Sequence, residues 1–121
     1  MILSLTILFF ILAAICNACM DKLAWHFHKS VFNKLDPNFW NPNVSWRTAK
    51  IIPFTKYKLD AWHLFKSAMI IFICIAWAIA FCYGKSSINN FCFVLALIAF
   101  AGLIWNITFN LFFNKILSRN V

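Results

Sequence analysis

The chain has 121 residues, 64% of them hydrophobic and 12% charged, and carries a formal net charge of +8. That length holds one domain, and the apolar content lies far outside the range of soluble globular proteins, which excludes an ordinary soluble enzyme or binding module. The cations flank apolar runs and alternate with aromatics, so anionic lipid headgroups, and no nucleic acid, are the expected partners.

Three apolar stretches, at about residues 1–20, 67–84 and 86–114, dominate the chain. A hydrocarbon core roughly 30 Å thick needs about 20 residues per helical crossing, and each stretch meets that length. The expected fold class is all-α: an integral membrane protein with three transmembrane helices and a cytoplasmic interfacial aromatic loop. Residues 1–121 form a single membrane domain on this reading.

The first stretch also has the outline of a signal peptide. No Lys or Arg precedes its apolar run, however, and Ala13, Ala14 and Ile15 before Cys16 match a lipidation site poorly, so a retained helix over about 2–20 is expected. Beyond it Met20, Leu23, Phe27, Val31 and Leu35 recur at three and four residues, opposite Lys22, His26, Lys29 and Asn33. This spacing predicts an amphipathic continuation to about residue 35. Pro37 disfavours helical geometry at Asp36, and the two fit the cap and first position of a short turn through Trp40.

Residues 36–58 contain all three prolines and no sustained period, which suggests an interfacial lid ordered by Phe39, Trp40, Trp46, Phe54 and Tyr57. Asp60 reads as the cap of a second helix over about 60–83, in which Ser67, Cys74, Ala78 and Cys82 make a small-residue packing stripe. In a third helix over about 87–114, Ala96, Ala99, Gly102, Asn106, Asn110 and Asn114 recur at three and four residues. Such a ladder marks a helix contact, within the chain or between copies in a homo-oligomer, or else the lining of a pore. Residues 115–121 form a short basic tail.

Orientation follows from the cations. The segment from Asp21 to Lys66 holds eight Lys or Arg against three Asp, whereas the turn between the last two helices has only Lys85. Cations near spans stay cytoplasmic, so the N-terminus is expected outside a bacterial inner membrane, with residues 21–66 and the C-terminus inside.

Every carboxylate and every histidine lies between Asp21 and Lys66. Asn17, Asp21 and His28 share one face of a continuous helix, and Asp60, His63 and Ser67 share another. If the two helix ends meet, Asp21, His28, Asp60 and His63 offer oxygen and imidazole ligands for a divalent metal ion. His26 joins them only through a distorted turn, and Lys66 is placed to bind a phosphate. The competing reading is a polar network at the helix ends that holds the lid. Cys16 and Cys19 form C-x-x-C, but inside an apolar helix, where cysteines act as small packing residues. Glycine-rich phosphate loops and nucleophile elbows are absent from the sequence.

The blocks NACMDKLAWHFHKSVF (Asn17 to Phe32), FWNPNVSWR (Phe39 to Arg47) and DAWHLFKS (Asp60 to Ser67) resemble an uncharacterised family of small bacterial and phage membrane proteins. The resemblance implies that Asp21, His28, Asp60 and His63 belong to one unit; no activity comes with it. The expected function is that of a small polytopic membrane protein acting through lipid, protein or self-association. The alternatives are a metal-dependent interfacial enzyme or metal-binding protein acting on an anionic lipid or phosphate substrate, and an oligomeric, holin-like pore.

Overall fold

The computed structural model describes residues 2–48, 50–51, 58–83 and 90–119. Phe54, Tyr57 and Lys85, on which parts of the lid and orientation readings rest, lie outside the described residues. The fold is all-α, with three helices long and apolar enough to cross a membrane. The chain is thus compatible with a small membrane protein.

Helix α1 spans Ile2–His26, and 3-10 turns at Phe27–Lys29 and Val31–Lys34 follow it. Helices α2 (Pro37–Trp40) and α3 (Pro42–Thr48) come next, then a two-residue antiparallel ladder of β1 (Lys50–Ile51) with β2 (Lys58–Leu59). Helices α4 (Ala61–Tyr83) and α5 (Asn90–Leu111) complete the long elements, and α5 runs into a π turn at Phe112–Ile116.

Helix α1 is the central one and packs against both α4 and α5. Its contact surface is built from small side chains: Ala13, Ala14 and Ala18 are 0% exposed, as are Ala61 and Ala76 of α4. Residues of this size let backbones approach closely, which supplies the dispersion contacts that hold apolar helices together where lipid is as apolar as the interface. Phe10, Ala76 and Ala101 join the three helices at mid-height, with Phe10 edge-on to Trp77 at 5.7 Å between centroids. The small-residue stripe of α4, open to a contact within the chain or between copies, is not used within the chain: Ser67, Cys74, Ala78 and Cys82 are all exposed. Shape selects Ala61 and Ala76 instead, because a helix that is apolar all round has no periodicity to announce its inner face.

The amphipathic continuation to residue 35 gives way to a break. The α-helix stops at His26, and Ser30 organises the turn by donating its hydroxyl to the Phe27 carbonyl at 2.6 Å while accepting from the Phe32 amide at 3.2 Å. What draws the chain away from a helix is the C-terminal tail. The Val31 amide donates to the Leu117 carbonyl at 3.0 Å and the Arg119 amide to the Lys29 carbonyl at 2.9 Å, forming an antiparallel bridge centred on Ser30 and Ser118. The tail is therefore stitched to the turn after α1.

Candidate functional site

The end of α1, the start of α4 and the end of α5 meet at one end of the bundle. Leu23, Phe27 and Ala61 are buried there under Phe32, Phe39, Trp40 and Phe65. Trp40 stacks on Phe32 at 5.2 Å, and both rings lie 6.4 Å from Phe65. Over residues 37–48 the lid is thus a cap of short helices, and Phe39 and Trp40 fill the gap between the α1 turn and α4. Asp36 starts it by accepting from the Asn38 amide at 3.0 Å, with Pro37 in the first turn.

Asp60 is the centre of the polar part. It is 2% exposed, yet each of its oxygens has a partner. The Ser45 hydroxyl donates to Oδ2 at 2.9 Å, the His63 amide donates to Oδ1 at 2.8 Å, and His63 Nδ1 lies 2.8 Å from that same oxygen. Burial pushes the carboxyl up, but the bonds from the His63 amide, the His63 ring and the Ser45 hydroxyl outweigh it and hold Asp60 below the ordinary value of 3.8. One carboxylate therefore caps α4, orients an imidazole and pins α3 to the helix start. The His63 side chain remains 47% exposed.

A second polar junction involves Lys22. It is 4% exposed, against the expectation that it lies on the outer stripe with His26 and Lys29. Its ammonium donates to the Phe113 carbonyl at 2.8 Å and to Ser118 Oγ at 2.7 Å, and lies 4.2 Å from the centroid of the Phe113 ring. The π turn after α5 frees carbonyls that an α-helix would occupy, and Lys22 takes one of them.

The sequence candidates divide accordingly. Asp60 and His63 come together; Asn17 and Asp21 are half-buried on α1, and His28 is exposed in the following 3-10 turn. The helix break removes the shared face on which Asp21 and His28 were to meet. Among the described residues no group of three or more His, Cys, Asp or Glu is placed to hold a metal ion, so the metal reading gains no support. His26 lies edge-on to Phe113 at 5.3 Å, Ser67 is exposed, and Lys66 lies over the Trp62 ring at 5.0 Å.

Sequence reasoning passed over Ser45 and Ser118 as partners. Neither carries a local signal: Ser45, in a Pro- and Asn-rich segment, reads as a turn former, and the bonds of Ser45 to a residue 15 positions away and of Ser118 to one 96 positions away are tertiary facts.

The outward side of the cap is cationic and aromatic. Arg47 lies over the ring of Trp46, the residue after the Ser45 that is bonded to Asp60, at 4.7 Å, and Lys66 lies over Trp62 in the first turns of α4. Both cations and Trp46 are exposed. No protein-family model, curated protein or solved structure matches this chain, so the phage-like resemblance gains no support from known proteins.

Proposed function

We propose that the protein is a polytopic membrane protein that acts by association, seating a rigid cationic and aromatic cap on the anionic headgroups of the cytoplasmic leaflet. Its N-terminus is outside and residues 21–66 and the C-terminus are inside on this reading. The carrying observation is the pair of exposed cations held over indole rings, Arg47 on Trp46 and Lys66 on Trp62, beside a carboxylate already satisfied internally. Tryptophan favours the headgroup depth, and each cation there gains from negative surface potential.

Lipid enrichment around the full-length chain tests this. In nanodiscs of mixed phosphatidylcholine and phosphatidylglycerol, the wild type is expected to co-purify with excess phosphatidylglycerol. Arg47→Gln and Lys66→Gln each reduce the excess, by roughly fivefold per charge. Equal lipid ratios around the protein and in the bulk would overturn the reading.

A second reading rests on the Asp60–His63 pair. A carboxylate at Nδ1 fixes the imidazole and leaves Nε2 for a further partner, the arrangement of a general base, and Lys66 follows one turn later. Phosphate-ester hydrolysis by reconstituted protein that disappears in His63→Ala would favour this interfacial enzyme over simple association.

A further inference from the structure

We infer that the face of α5 carrying Gly102, Asn106 and Asn110, continued by Asn114 in the π turn, is the interface for a second copy of this chain. The inference rests on the membrane reading above, because it requires α5 to lie in hydrocarbon. Among the residues of this helix whose burial is described, Leu97, Ala101 and Thr108 are the buried ones, and Gly102, Asn106, Asn110 and, beyond it, Asn114 point away from them, exposed. The ladder is therefore not used in contacts between the helices of one chain. Asn106 lies near the middle of the span Val94–Ile116, so its amide sits deep in the apolar layer rather than at its rim.

Each asparagine commits one N–H to its own helix. Asn106 Nδ2 donates to the Gly102 carbonyl at 3.1 Å, Asn110 Nδ2 to the Asn106 carbonyl at 2.9 Å, and Asn114 Nδ2 to Asn110 Oδ1 at 3.4 Å. An amide has two N–H groups and a carbonyl, so hydrogen-bonding capacity remains on every rung. Lipid tails cannot meet it, and an unmet amide in hydrocarbon is costly. The side chains instead line an open groove of about 470 Å3 formed by Asn106, Ile107, Asn110, Leu111, Asn114 and Lys115.

Amide complementarity identifies the occupant. A row of neutral groups that both donate and accept is matched by an identical row. Copies inserted with the same topology present their α5 helices in parallel, so a two-fold axis along the membrane normal brings Asn106 to Asn106 and Asn110 to Asn110. Gly102 adds an independent observation. A Cβ built there meets nothing within 4 Å, so no packing inside the chain uses the missing side chain. The notch stands at the head of a four-residue ridge, the spacing along which small residues let parallel membrane helices cross closely.

The test is dilution energy transfer between full-length copies labelled at the amino terminus, in vesicles of phosphatidylcholine and phosphatidylglycerol. Wild-type transfer is expected to exceed random proximity and to fall on lipid dilution. The double change Asn106→Leu with Asn110→Leu, and separately Gly102→Ile, should each weaken association by roughly tenfold or more. Both alter exposed positions, and Gly102→Ile enters open space, so the helical circular dichroism of both variants matches the wild type; Ala78→Leu on α4 leaves transfer intact. Random-level transfer in the wild type, or indifference to both α5 changes, overturns the inference. Vesicle leakage abolished by the asparagine changes with transfer retained also overturns it, since the amides would then face water. Loss of the chain from the bilayer in carbonate extraction marks failure of the membrane reading itself.

Discussion

The ammonium of the buried Lys22 on α1 donates to the carbonyl of Phe113 in the turn that ends α5, joining two residues 91 positions apart. With Ser118 Oγ at 2.7 Å as its second acceptor, this one side chain closes the bundle end and anchors the returning tail.

Replacing Lys22 by Met keeps much of the volume and removes both bonds. Phe113 retains the Ser118 hydroxyl as a donor at 3.0 Å, so the expected loss is about 1–3 kcal/mol rather than collapse. Thermal unfolding in detergent measures it. Limited proteolysis should show earlier cleavage after Arg119 in Lys22→Met than in the wild type, because the tail loses its anchor.

Asp60 makes stability pH-dependent in a definite direction. Its folded-state value lies below the ordinary 3.8, so the ionised carboxylate favours the folded form. The contribution is complete above the ordinary carboxylate value and is lost as pH falls from about 4 through the lower folded value. Asp60→Asn should flatten that part of the profile of melting temperature against pH. At neutral pH it should also cost about 1–3 kcal/mol, with Ser45→Ala costing about 1 kcal/mol.

The alanine seam is predicted to be intolerant of added volume. Ala76→Leu places a branched side chain where Phe10 and Ala101 already meet a fully buried methyl, and about 1–3 kcal/mol of overpacking strain is expected. Cys74→Leu, two residues away on an exposed face, should stay within about 0.5 kcal/mol. Comparing the two by thermal unfolding checks which face of α4 is internal.

Chelation should leave the fold unchanged. Asp60 and His63 supply two ligands, and among the described residues no third His, Cys, Asp or Glu joins them. Dialysis against a strong chelator is expected to shift neither the melting temperature nor the lipid enrichment, and metal analysis of the purified protein should give well under one equivalent. A stoichiometric metal lost in His63→Ala would contradict this.

Local chemistry made several features legible. Asp60 and Asp36 cap helices because a carboxylate followed by a helix start, or by proline, needs only neighbouring amides to act. The aromatic cap was likewise foreshadowed by Trp40 and Phe39, whose density has no other use in a polar segment. The face shared by Asp21 and His28 was not recoverable in this way. Periodicity assumes an unbroken helix, and the break at His26 depends on a strand-like pairing with residues 117–119, which no window around residue 27 contains.

Hydropathy and geometry within a few residues thus suffice for three helices long enough to cross a bilayer, for the caps and for a cationic end. Which helix is central, that Lys22 turns inward while Asn106 and Asn110 turn outward, and that Ser45 meets Asp60 emerge only on packing. The physical reason is that helices apolar on every side encode no preferred face. Selection among faces comes from the close fit of Ala14, Ala18, Ala61 and Ala76, and from polar groups brought together by that fit.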